Sequence, residues 1–257
     1  MILQNLINII EEKYPKSLAC DWDNPGLILG DEKKDVKKVL VSLDVTEGVL
    51  EEAVRNEADC IVAHHPLIFS GIKQITNKTP IGRIILKAAQ KDIAIYAAHT
   101  NMDMAPEGIN KKLAEMFGLK NAKIIEPLDT LPDSGLGQIG EVEEITLKDF
   151  AKKVKELLKT PFVRWCGEEN QIIKRVAIGS GSCGELIPEA INMGADVMVT
   201  GDLKYHTCLD FANENFSVID AGHFPTEQIA MDMFEEILKN ADVEIVKSNN
   251  TDIFKIV

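Results

Sequence analysis

No run of 18 apolar residues occurs anywhere in the 257-residue sequence, so no helix is expected to span a bilayer, which takes about 20 of them. Cysteine is scarce. Cys20, Cys60, Cys166, Cys183 and Cys208 are scattered, odd in number and contain no C-x-x-C pair, which argues against a disulfide framework and against a cysteine zinc site. Reduced, buried thiols of a cytosolic protein are the expectation. Positive charge is also short: 28 Lys and Arg stand against 41 Asp and Glu, a formal net charge of −13. Coating nucleic acid rests on clustered Lys and Arg, so that class is disfavoured globally. Residues Met1 to Tyr14 lack the basic start and apolar block of a secretory signal, so a cytoplasmic protein is expected. There is no strong internal repeat and no low-complexity tract.

What is present is ordinary globular composition, 45% hydrophobic and 27% charged, on a chain long enough for one large domain or two small ones. Helical and strand patterns alternate. Leu3, Leu6, Ile7 and Ile10 repeat at helical spacing before Pro15. Lys38 to Asp44, Asp59 to His65 and Ile93 to His99 read as buried strands. Thr46 is placed to cap a helix through Val49, Leu50, Ala53 and Val54, and Thr79-Pro80 to open another. Pro106 and Gly118 bracket a further helix. Pro127 to Gly137 has linker chemistry. The rhythm then resumes, with strands at Leu136 to Val142, Arg175 to Gly179, Asp196 to Thr200 and Phe216 to Asp220. Helices are predicted at Thr146 to Leu158, Glu185 to Met193, Leu203 to Asn213 and Thr226 to Leu238. This β-α-β order predicts an α/β fold with mainly parallel sheets.

Four of the five histidines lie beside predicted strand ends, where open α/β sheets bind ligands. His64 and His65 close one strand. Neighbours on an extended segment point to opposite sides, which suits two metals, one per side, although a plain pair of loop histidines has the same sequence. His99 and Asp103 follow the next strand. His223 and Glu227 are four apart, which on a helix places both on one face; an unrelated histidine beside a helix-start glutamate is the plainer alternative. Together the set offers only nitrogen and oxygen donors, which suits zinc, manganese or iron in a dinuclear hydrolytic site. Gly179-Ser-Gly-Ser-Cys-Gly184 fits G-x-G-x-x-G between a strand and a helix, yet a tight turn or an anion nest satisfies the same pattern. The roles of His206 and of the Trp22, Asn24-Pro25-Gly26 loop stay open.

These residues are similar to those of a known family. Asp23-Asn-Pro-Gly-Leu27, His64-His-Pro-Leu-Ile-Phe69, Tyr96-Ala-Ala-His-Thr-Asn-Met-Asp103, Gly179-Ser-Gly181, Gly194-Ala-Asp196, Thr200-Gly-Asp-Leu-Lys-Tyr-His206 and Asp220-Ala-Gly-His-Phe-Pro-Thr-Glu227 resemble, in order and across nearly the whole chain, the GTP cyclohydrolase 1 type 2 homologs, or NIF-three-like family. The resemblance implies two divalent metal ions held by His64, His65, Asp103, His223 and Glu227, with His99 beside them as an acid, base or supporting residue. It implies two α/β lobes and assembly into a ring-shaped homohexamer. Longer members carry an inserted middle domain that this chain is too short to hold. Ligands at both ends of the sequence predict a discontinuous metal-binding lobe, 1–126 with 216–257, and a second lobe, 127–215.

The function expected on these grounds is metal-dependent hydrolysis of a nucleotide or similar small molecule. The competing expectation is a ring-forming binding protein, for DNA or another nucleic acid, with structural or regulatory metals. Its sequence support is two lysine clusters, Lys33, Lys34, Lys37 and Lys38, and Lys148, Lys152, Lys153, Lys155 and Lys159. Solvated surface explains these equally. A dinucleotide oxidoreductase would rest on the glycine loop alone.

Overall fold

The computed structural model describes residues 1–211 and 216–256. In chain order the elements begin α1 (Leu3–Lys13), β1 (Gly26–Leu29), β2 (Lys38–Ser42), α2 (Glu47–Arg55), β3 (Cys60–Ala63) and α3 (Pro80–Gln90). Then come β4 (Ala94–Ala97), a four-residue α4 (Thr100–Asp103), α5 (Ile109–Phe117), β5 (Lys120–Leu128), β6 (Leu131–Thr146) and α6 (Leu147–Leu157). They continue with β7 (Arg164–Cys166), β8 (Ile172–Ile178), α7 (Ile187–Asn192), β9 (Val197–Thr200), α8 (Tyr205–Phe211) and β10 (Ser217–Asp220). The last are α9 (His223–Glu227), α10 (Ile229–Leu238) and β11 (Glu244–Lys247). The end of the helix predicted to reach Asn213, and the predicted lobe boundary at 215/216, lie outside the described residues.

The chain forms two compact units: Met1–Met102 with Gln228–Thr251, and Asp103–Glu227 with the segment from Asp252. The first is built on a five-stranded sheet, order β1-β4-β3-β2-β11. All pairings are parallel except the edge pair β1–β4. Its inner strands read as unbroken apolar runs because they are covered on both faces. Leu40, Ile61 and Ile95 pack with Val49, Leu50 and Ala53 of α2 and Ile84, Ile85 and Ala88 of α3, while α10 packs against α1 and β2. Thr46 and Thr79 cap α2 and α3, their hydroxyls accepting from Val49 N and Gly82 N, as the sequence predicts. Cys60 is fully buried, and desolvation pushes its thiol up to about 12, so it is an inert core residue.

Glu52 of α2 is buried and accepts hydrogen bonds from Ser248 Oγ (3.0 Å), Asn249 N (3.1 Å) and Asn249 Nδ2 (2.7 Å). These bonds hold the segment after β11 against α2, and they satisfy a carboxylate that would be costly to bury alone.

The second unit has a six-stranded sheet, order β5-β6-β8-β9-β10-β7. Here the sheet is mixed. β8, β9 and β10 are parallel, but β5–β6, β6–β8 and β7–β10 are antiparallel. The sequence predicts a linker at Pro127 to Gly137; the structure instead forms a β5–β6 hairpin, in which Pro127 pairs with Gly135. Gly135 is needed there: it has φ +155°, and a Cβ would come 2.2 Å from Glu126 O. β1, β5, β7 and β11 were not predicted. The helix predicted over Thr226 to Leu238 is two helices, α9 and α10. The core of this unit gathers Ile139, Ala177, Met198 and Val218 of the sheet with Leu186, Ile187 and Ala190.

Candidate metal centre

In the first unit three neighbouring parallel strands end beside one another, and each delivers a candidate site residue just past its carboxyl end. Asp44 follows β2, His64 and His65 follow β3, and His99 follows β4. Register keeps them level, with Ser42 opposite Ala63 and Ala63 opposite Ala97. One donor nitrogen from each of His64, His65 and His99 lies within 4.8 Å of the others. His64 is fully buried and His65 and His99 partly so.

The orientation of these rings is fixed. His64 Nδ1 lies 2.9 Å from Ala98 O, His65 Nδ1 2.8 Å from Asp44 Oδ1 and His99 Nδ1 2.8 Å from Asp23 Oδ1. A carbonyl or a carboxylate only accepts, so Nδ1 carries the hydrogen in each case, and a neutral ring presents its lone pair at Nε2. Imidazole backed by a fixed oxygen is the arrangement that metal-ligating histidines use.

Asp23 is itself tightly held. Burial opposes its ionisation, but hydrogen bonds from His99 and Thr100, the His99 charge and the Asn24 N–H outweigh burial and pull its carboxyl down from 3.8 to about 2. A depressed carboxyl stabilises the fold above its ordinary value, and that contribution is lost as pH falls through the folded one. Urea titrations of the natural protein and of Asp23→Asn are therefore expected to show a stability gap at pH 5–7 that closes as pH falls from about 4 toward 2. A gap independent of pH would sink this account of the Asp23 clamp.

The second unit repeats the pattern with its own parallel strands. Ser180 and Gly181 follow β8, Asp202 follows β9 and His223 follows β10. His223 Nδ1 lies 2.8 Å from Asp202 Oδ2, and His223 Nε2 lies 2.8 Å from Glu227 Oε2. With Nδ1 donating to Asp202, a neutral ring would turn a lone pair toward a carboxylate. A proton or a cation between the two resolves that conflict: 2.8 Å is a hydrogen-bond length, and a tetrahedral ion with both donors at about 2.0–2.2 Å would spread them to about 3.3–3.6 Å. Asp103 and Glu227 are both buried carboxylates, and Ser180 Oγ donates to Asp103 Oδ1 (2.9 Å). Asp202 adopts φ +54°, an uncommon conformation outside glycine that draws attention to a site.

The glycine-rich loop supports these donors, and three of its amides are committed to side-chain oxygens. Ser180 N donates to Asn110 Oδ1 (2.8 Å), Gly181 N to Thr226 Oγ1 (2.9 Å) and Cys183 N to Thr200 Oγ1 (3.0 Å). Amides so committed do not cradle a phosphate. Gly181 (φ +61°) passes so close to the donors that a Cβ would lie 2.0 Å from Glu227 Oε1 and 3.2 Å from His223 Nε2.

The structure thus brings His64, His65 and His99 together, and separately His223 with Glu227. His206 is exposed on α8 against Tyr205 and joins no group of three or more donors among the described residues. Sequence reasoning missed the oxygens behind the imidazoles: Asp23, Asp44 and Asp202 were not assigned that role. The available signal was position, since Asp44 and Asp202 each lie two residues past a strand. Five of the nine lysines in the two clusters are answered by acids or a carbonyl. Lys34 pairs with Asp92, Lys38 with Glu244, Lys148 with Glu169 and Lys152 with Asp149, and Lys153 donates to Phe117 O. No helix among the described residues is long and apolar enough to cross a membrane.

The fold and its donors define a class: an α/β protein whose strand ends carry candidate metal-binding groups of histidine and carboxylate. The chain belongs to the Duf34/NIF3 (NGG1p interacting factor 3) family, whose model matches residues 1–253. It is 35% identical to the GTP cyclohydrolase 1 type 2 homolog of Clostridium acetobutylicum, over 98% of each chain. It is 30% identical to the protein of the same name from Staphylococcus aureus strain COL, over 100% of each. That second alignment runs to 368 positions, so at least 111 have no counterpart in these 257 residues. A crystal structure of the Staphylococcus aureus hypothetical protein SA1388 superposes with a TM-score of 0.89 at 34% identity, covering 100% of this chain and 99% of that one.

Proposed function

We propose that the protein is a dinuclear metal-dependent hydrolase acting on a nucleotide or a similar small molecule. His64, His65, Asp103, His223 and Glu227 are the metal ligands in this reading, and His99 is the proton carrier. One observation carries it: all four imidazoles have Nδ1 committed to a fixed oxygen, that of Ala98, Asp44, Asp23 or Asp202. Surface histidines have no reason to share that arrangement, whereas ligands need it for tautomer and aim. The all nitrogen-and-oxygen donor set favours zinc, manganese or iron. Two such ions, when bound, supply a water that ionises near pH 7 and polarise the bond under attack.

The chain's own residues would then work as follows. Asp23 holds His99 in one tautomer and one orientation, as an acid–base histidine requires. Asp44 and Asp202 hold His65 and His223. The name its relatives carry, GTP cyclohydrolase 1 type 2 homolog, supports hydrolytic chemistry on a nucleotide. Family membership is also the support for a ring-shaped homohexamer, which a mass measurement in solution checks.

The test is elemental analysis of the purified protein together with turnover of a nucleotide panel by the metal-loaded form. About two equivalents of metal and hydrolysis of at least one nucleotide are expected. No turnover with zinc, manganese or iron at high protein concentration would overturn the hydrolase. Asp202→Asn, which reverses the hydrogen bond to His223, is expected to weaken metal binding about 10–100-fold, read by competition with a chelator.

A further inference from the structure

We infer that Trp22 and Phe69 form a recognition shelf for a planar heteroaromatic ring, set beside the three histidines of the first unit. This rests on the reading of the site as one for a nucleotide-like substrate, and it assigns the part that reads the base.

Trp22 is 60% exposed and Phe69 50% exposed. Their ring centroids are 5.5 Å apart and tilted by 46°. Both stand edge-on to His99, Trp22 at 6.3 Å and Phe69 at 6.1 Å. Large aromatics left in water cost free energy, and a mobile loop would fold them away.

These loops are instead pinned from behind. Asn24 Nδ2 donates to Ile68 O (2.6 Å), tying the segment bearing Trp22 to the one bearing Phe69. Asp23, between Trp22 and Asn24, accepts from Thr100 N (3.0 Å) and from His99. Asp23, whose side chain is buried, and Asn24 serve as tethers, and the two aromatic rings stay exposed. Preorganised aromatics next to reactive groups are how proteins hold bases, by stacking that tolerates any base but demands a ring.

The geometry also limits the pose. A third ring inserted between Trp22 and Phe69 would need about 7 Å, two stacking separations, and the rings are 5.5 Å apart. The ligand's ring therefore lies on the exposed indole face with Phe69 as a side wall. A second copy of this chain is the competing occupant of an exposed aromatic pair, and the experiment separates the two.

The intact, metal-loaded protein carrying Trp165→Phe, so that Trp22 is the single indole, is titrated with guanosine monophosphate and with ribose 5-phosphate, which has the sugar and phosphate without the ring. Guanosine monophosphate is expected to quench Trp22 and to bind at least about tenfold more tightly. By calorimetry, Trp22→Ala is expected to bring its affinity down to that of ribose 5-phosphate, and Trp22→Phe to keep most of it. Metal content should be unchanged in both variants. Equal affinity for the two probes, absence of binding by either, or an unchanged affinity in Trp22→Ala would overturn the inference. A fall in solution mass in Trp22→Ala with unchanged nucleotide affinity would assign the pair to a subunit contact instead. None of these failures removes metal, so each is distinguishable from failure of the metal site.

Discussion

Replacing His64 with Ala is expected to strip metal from the protein. The ring is fully buried, its Nδ1 is locked on Ala98 O, and its donor atom belongs to the tight group formed with His65 and His99. Loss of a supporting partner alone costs a metal site about 10–100-fold in affinity, so loss of a ligand should exceed about 100-fold. Elemental analysis after dialysis is the measurement, with circular dichroism to show that the sheet persists. Glu227→Gln provides the parallel case in the second unit. It leaves the shape of the side chain but removes the charge that pairs with a cation. If both variants keep two equivalents of metal, the proposed ligand set is wrong.

Gly181→Ala is expected to weaken metal binding, by less than loss of a ligand does, from a position that supplies none. Two separate penalties act. The backbone is at φ +61°, and holding a non-glycine residue in such a conformation costs of order 1–3 kcal/mol. The new methyl would also sit 2.0 Å from Glu227 Oε1, so the carboxylate must move, and with it the contact to His223. A loss of metal affinity of about 10–100-fold is expected, with a melting temperature lower by about 2–4 °C per kcal/mol. Gly194→Ala separates the two penalties. Gly194 has φ +80° but open space around its Cβ position, so it should lower the melting temperature and leave metal binding intact. Equal metal affinity in both variants would mean that Gly181 is a turn residue and nothing more.

The sequence made the first unit's inner strands legible because burial on both faces writes them as continuous apolar runs, and the histidines at their ends follow directly. The Pro127 to Gly137 hairpin was hidden for the opposite reason. Pro127, Gly135 and Gly137 are residues of turns and linkers, and only the pairing of Pro127 with Gly135 shows that glycine serves a close strand approach. Edge strands such as β7 and β11 are short and half-exposed, so they carry no strong alternation. At the site, the imidazoles stood out because histidine is rare here, five in the whole chain. Asp23, Asp44 and Asp202 did not, because they are three among 41 acids. The glycine loop was visible as a pattern, but its use was not: the same spacing that elsewhere cradles a phosphate here lets the backbone pass under a carboxylate.

The parallel pairing of β11 with β2, and the grip of Glu52 on Ser248 and Asn249, also dictate an order of events during synthesis. Residues Glu52 and Ser248 are 196 positions apart. At about 5–20 residues per second, a ribosome needs roughly 10–40 s to make that stretch. Through this interval the newborn β2 has one edge uncovered, a template for mispairing. The segment 103–227, nearly all of the second unit, is contiguous and can fold meanwhile. Late closure of the first sheet is the expected slow step of folding, and nascent chains stalled before residue 244 should be the ones that chaperones hold.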